Sequence, residues 1–147
     1  MIDDLDQKII SSLNKNARKS FREISKEVGT SVTAVISRVK KYEEAGIIKG
    51  YIPVVDQEHF GLKMTAIVAL RISQGKLLET QEKIAHDSRV IAIYDVTGEW
   101  DSIIIGYFKD RQDLNAFLKQ LLSFKNVDRS VTHIVLNVVK EERRIIV

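Results

Sequence analysis

Cysteine is absent from the 147 residues, which removes disulfide scaffolds, thiolate metal sites and cysteine nucleophiles together. Proline occurs once and glycine seven times, too few for a collagen-like or low-complexity chain. Long apolar runs are missing as well: Ile103-Ile104-Ile105 and Ile134-Val135-Leu136 are far short of a membrane span. The first residues, MIDDLDQKII, are acidic where a secretory leader is basic and then apolar. Catalytic signatures are equally scarce. No G-x-S-x-G, Walker or G-x-G-x-x-G sequence occurs, and His59, His86 and His133 are scattered without metal-ligand spacing. Asp95 and Asp101 form a candidate carboxylate pair, but nothing nearby supplies a second catalytic role. The expectation is a soluble, cytoplasmic, globular protein without catalysis, metal or cofactor, built as one ordinary domain or two small ones.

What the chain has is charge asymmetry. Of the 23 Lys/Arg and 20 Asp/Glu, the whole excess of +3 lies in residues 1–55. It is densest between Lys15 and Lys41, where Lys15, Arg18, Lys19, Arg22, Lys26, Arg38, Lys40 and Lys41 face only Glu23 and Glu27. Such a field attracts polyanions through counterion release; a merely solvated helical face is the alternative.

The same third has helical periodicity. Leu5, Ile9 and Leu13 recur at helical spacing behind Asp3 and Asp4, which suit a cap and the helix dipole. Ser20 and Glu23 have capping-box spacing ahead of Phe21, Ile24 and Val28, and Gly29 stops that second helix. Ser31 caps a third, in which Val32, Val35, Ile36, Val39 and Tyr42 supply the apolar side and Gly46 the stop. The short gap from Gly29 to Ser31 suits a helix-turn-helix. Ile47–Val55 reads as extended chain, a strand pair bent near Gly50.

A polar connector at 56–61 separates this region, residues 1–55, from residues 62–147. There the pattern predicts strand (Leu62–Ser73), helix (Lys76–His86), strands (Val90–Val96 and Ser102–Phe108), helix (Asp110–Phe124) and strand (Val127–Val139). The second of these helices has Leu114, Phe117, Leu118, Leu121 and Leu122 as its core face. The order β-α-β-β-α-β is ferredoxin-like, giving an α+β chain overall. Both helices lie on one side of such a sheet. The strand residues Ile67, Ala69, Ile91, Ile93, Ile103, Ile105, Ile134 and Leu136 suggest that neither face is fully polar, so the uncovered face suits a second copy of the chain.

Laid out in order, the segments resemble the Lrp/AsnC (leucine-responsive, feast/famine) transcription regulators over almost the whole chain. Ile2–Ile10 resembles the family's opening helix. Asn16–Ser20 and Ser31–Tyr51 resemble its helix-turn-helix and following wing strand. Thr97-Gly98-Glu99-Trp100-Asp101 resembles its T-G-x-x-D turn, and Thr132–Leu136 its T-x-x-V-L strand. The sequence departs from the pattern at Ile24-Ser25, Thr30, Tyr42 and Trp100, where Leu-Ala, Leu, Leu and Tyr are usual. The resemblance implies a winged helix-turn-helix followed by a ligand-binding (RAM-type) domain. It also implies dimers that often assemble further, commonly to octamers, and an amino-acid effector held near the T-G-x-x-D turn.

For binding double-stranded DNA, the third helix should turn Thr33, Ala34, Ser37, Arg38 and Lys41 outward. Arg38 suits a guanine edge, Thr33 and Ser37 a base or phosphate, and Ala34 a close approach. Lys40 and Lys41 suit phosphate, as do the amides behind Ser31, whose hydroxyl is otherwise simply a cap. For the effector, Asp101 suits an ammonium group and Gly98 a close backbone approach; the alternative is that both merely shape a hairpin turn. Trp100 and Thr132 enter this site through the resemblance alone. An architectural DNA-compacting protein and an effector-independent regulator remain alternative readings.

Overall fold

The computed structural model describes residues 2–73 and 75–144, which divide into two compact units: residues 2–54 with 140–144, and residues 55–73 with 75–139. Residues 140–144 group with the first unit.

The first unit is three helices, α1 (Asp4–Lys15), α2 (Phe21–Val28) and α3 (Val32–Glu44). Each starts on a side-chain cap. Asp3 accepts from the Asp6 amide at 2.8 Å while the Asp6 carboxylate accepts from the Asp3 amide, a reciprocal capping box. Ser20 and Glu23 form a second box, and Ser31 accepts from the Ala34 amide at 3.1 Å. Gly29 ends α2 in the left-handed region at φ 74°, so three residues turn the chain from α2 into α3. Ile9, Leu13, Ile24, Val35, Val39 and Tyr42 close the core.

Four residues expected in helix cores are exposed: Phe21, Val32 and Ile36 in this unit and Leu122 in the second. Three short helices enclose a narrow core, and each can bury only the residues near the centre of its inward stripe. Residues 47–55 take no strand structure. The Ile47 and Ile48 amides close back on the Tyr42 carbonyl, and Pro53 offers no amide for a ladder. The expected connector is a capped 3₁₀ turn, Gln57–Phe60, between Asp56 and a left-handed Gly61.

The second unit runs β1 (Met64–Ile72), α4 (Leu77–Ala85), β2 (Val90–Asp95), β3 (Ser102–Phe108), α5 (Arg111–Ser123) and β4 (Val127–Ile134). The sheet is antiparallel in the order β2-β3-β1-β4, the ferredoxin-like arrangement. Alternation divides its faces. Ala66, Val68, Leu70, Ile104 and Phe108 pack with Ile84, Leu114, Phe117 and Leu121 of the helices. Ile67, Ile103 and Ile105 occupy the other face, half-exposed in the single chain. β4 ends at Ile134 and not at Val139, because Ile134 already pairs with Ala66 near the start of β1. Only the Val135 amide reaches further, to the Thr65 carbonyl.

Candidate nucleic-acid interface and effector turn

Burial on α3 sets its orientation. Val35, Val39 and Tyr42 are at most 2% exposed, whereas Ser31, Thr33, Ser37, Lys40 and Lys41 are exposed and Ala34 is half-buried. The helix thus turns hydroxyl and ammonium groups outward. Ser31 is engaged as the N-cap, and Lys40 lies 3.8 Å from Glu44, a loose surface pair.

Arg38 departs from the expected outward placement. Its Nη1 donates at 2.7 Å to both oxygens of Asp3 and also to Asp6, and the Tyr42 hydroxyl donates to the same Asp6 oxygen. The physical reason is the capping box of α1, which gathers two carboxylates beside the middle of α3. Arg38 carries the nearest positive charge able to neutralise them. Burial alone would raise the Asp6 carboxyl, but the Tyr42 hydroxyl, the Asp3 amide and the Arg38 guanidinium outweigh it and hold the pKa down at about 2. Burial first, then the bond to Asp6, pushes the Tyr42 hydroxyl up to about 12. This network was not foreseen. Its signal was Tyr42 itself, a polar tip at a position where the family pattern has leucine.

The second candidate site is the β2–β3 turn, residues 96–101. Gly98 has φ 112°, a backbone conformation that L side chains rarely adopt. Asp101 is built into the sheet: its Oδ2 accepts from the Ile72 amide at 2.7 Å and its own amide donates to the Leu70 carbonyl at 3.0 Å. Sequence reasoning missed two cations beside this turn. Arg71 donates to the Glu99 carbonyl and lies 3.8 Å from Asp101. Arg129 lies 3.4 Å from the Glu99 carboxylate and 5.2 Å above the Trp100 ring. Arg71 and Arg129 are register partners across β1 and β4, which only the sheet topology brings together. Thr132 pairs with Val68 and so shares the helix-covered face; Arg129 is the β4 residue that reaches the turn.

A separate cavity of about 740 Å³ lies toward the other end of β3, lined by Lys83, His86, Arg89, Tyr107, Lys109 and Asp113 among others. Arg89 is tied there to Asp87 and Asp113 and stacks 5.1 Å from the Phe117 ring. Among the described residues, no group of three or more His, Cys, Asp or Glu side chains could hold a metal ion. No helix among them is long and apolar enough to cross a membrane.

A helix-turn-helix unit with a basic outward helix, followed by a ferredoxin-like sheet, defines a two-domain DNA-binding regulator. Residues 2–49 match the winged helix-turn-helix DNA-binding family model, and residues 65–145 match the Lrp/AsnC ligand binding domain. An HTH-type transcriptional regulator of Pyrococcus abyssi is 45% identical, each chain covered to 99%. Among solved structures, a transcriptional regulator of Neisseria meningitidis in complex with L-Met superposes with a TM-score of 0.92. It is 26% identical, with 99% of this chain and 96% of that one covered. The feast or famine regulatory protein of M. tuberculosis, complexed with L-methionine, superposes with a TM-score of 0.88 at 27% identity, both chains covered to 99%. The chain belongs to the Lrp/AsnC family of transcription regulators. It carries the family's DNA-binding helix-turn-helix and its ligand-binding domain.

Proposed function

We propose that this regulator binds specific DNA sequences and that a small amino acid adjusts its assembly or its DNA affinity. The observation that carries the DNA reading is the outward face of α3, with Val35, Val39 and Tyr42 locked inside. Thr33 and Ser37 meet base edges or phosphates, Ala34 allows close approach, and Lys40 and Lys41 meet phosphates. The amides behind the Ser31 cap add a phosphate contact. Arg38 acts through its grip on Asp3 and Asp6, holding α3 against α1.

One recognition helix reads too few base pairs for specificity, so two copies act together, their helices roughly 34 Å apart along the duplex. The open sheet face carrying Ile67, Ile103 and Ile105 makes that dimer. In the effector site, Asp101 receives the ammonium group, Gly98 and Trp100 border the ligand, and the Arg71 and Arg129 guanidiniums supply charge for the carboxylate. Thr132, on the helix-covered face, lies outside this site, and Arg129 takes its place from β4. L-Methionine is the first ligand to try, since two structural relatives were solved with it.

Selection from a random duplex library at two salt concentrations tests the DNA reading. Enrichment of one sequence supports it; no enrichment, with a steep loss of binding in salt, makes the protein an architectural DNA compactor. Titration calorimetry with each standard amino acid tests the effector, and a flat response to all leaves a regulator without one. Sedimentation of a monomer at micromolar concentration overturns the dimer.

A further inference from the structure

Ile36 is an aliphatic side chain of α3 that the narrow core leaves outside. Helical periodicity assigns it to the core, four residues after Val32, yet it is 45% exposed while its neighbour Val35 is fully buried. One residue along a helix turns the side chain by about 100°, which carries Ile36 out of the inward stripe. Thr33 precedes it by three positions and Lys40 follows by four, both exposed on the same side of the helix. Ile36 is the fifth residue of the 13-residue α3, in the N-terminal half that a helix-turn-helix presents to base edges. The surrounding segment, Lys15–Lys41, carries the excess of positive charge, which matches a duplex.

A branched aliphatic side chain has no donor or acceptor to offer. In the major groove one base group suits it, the C5 methyl of thymine. Arg38, the residue on this helix best shaped for guanine, is held by Asp3 and Asp6. That shifts discrimination on this face toward hydroxyl and methyl contacts. We infer that Ile36 is a specificity-determining residue that packs against the 5-methyl group of a thymine in the bound site. The inference rests on the sequence-specific DNA binding proposed above.

The test uses the duplex selected by the wild-type full-length protein, with each thymine replaced in turn by deoxyuridine, which removes the methyl group alone. Wild type should lose about fourfold in affinity at the contacted thymine, the worth of one buried methyl group. Ile36→Ala should bind thymine and uracil duplexes equally at that position, while keeping its thermal midpoint and its affinity for random-sequence DNA. Ile36→Val, which keeps the β-branch and loses only the δ methyl, should keep part of the methyl preference and guards against a folding defect in the alanine variant. Equal uracil penalties for wild type and Ile36→Ala at every thymine overturn the inference, as does a wild type indifferent to every replacement. Either result leaves specific DNA binding standing. A selection that enriches no sequence removes both.

Discussion

At the residue scale, the cluster of Asp3, Asp6, Arg38 and Tyr42 joins local helix capping to long-range packing. Asp6 serves three donors: the Asp3 amide, the Tyr42 hydroxyl and Arg38. Its lowered pKa makes its contribution present above the unfolded carboxyl value, about pH 4, and lost as pH falls toward 2. The raised pKa of Tyr42 acts on the other side, present below about pH 10 and lost as pH rises through 12. We therefore expect the N-terminal unit to be most stable between these limits. Asp6→Asn should cost roughly 1–3 kcal/mol at neutral pH and flatten the acid limb, as read by urea denaturation from pH 2 to pH 7. An unaltered acid limb would show that other carboxylates govern it. In the second unit, Gly106 has no room for a side chain: a Cβ would lie 2.9 Å from the Phe108 ring and 3.0 Å from the Arg89 carbonyl. Gly106→Ala should lower stability by about 1–3 kcal/mol, seen as a depressed thermal midpoint.

At the element scale, α3 has two tasks that share one cap. Ser31 closes the helix start on the Ala34 amide, and the amides it leaves beside it are candidates for a phosphate. Two substitutions separate these roles. Ser31→Ala should cost about 1 kcal/mol of stability through loss of the cap. Ser31→Asp should keep the cap and stability yet weaken DNA binding, because a carboxylate then faces phosphate. Equal DNA affinity for Ser31→Asp and wild type would place the start of α3 away from the backbone. The element scale is also where reading by pattern held best. Capping residues at Ser20 and Ser31, the stop at Gly29 and the strong period of residues 110–124 are local signals, and local backbone chemistry acts on them directly. Strand ends were less legible. β4 stops where β1 runs out of partners, a fact about pairing that no stretch of β4 contains.

For the whole molecule, the sheet has helices on one face, and the proposed dimer uses the other. Ile105 lies opposite Ile67 on that face, between strands that are both internal to the sheet. Ile105→Glu should convert the dimer to monomer in sedimentation and reduce affinity for a two-half-site duplex far more than for random DNA. A dimer that persists with this change would move the interface elsewhere. The charge division belongs to this scale as well: the excess of +3 sits in the first 55 residues and none in the rest. Steep salt dependence should therefore follow the N-terminal unit.

Class, element order and the basic outward helix were legible because each depends on neighbours within a few positions, where periodicity, capping and composition act. The grip of Asp3 and Asp6 on Arg38, the exposure of Ile36 and the meeting of Arg71 and Arg129 at the β2–β3 turn were not. They join residues up to 58 positions apart, on different helices or strands. Which side chain meets which then depends on how three helices divide a small core and how strands register, and the chain acquires those properties only by folding.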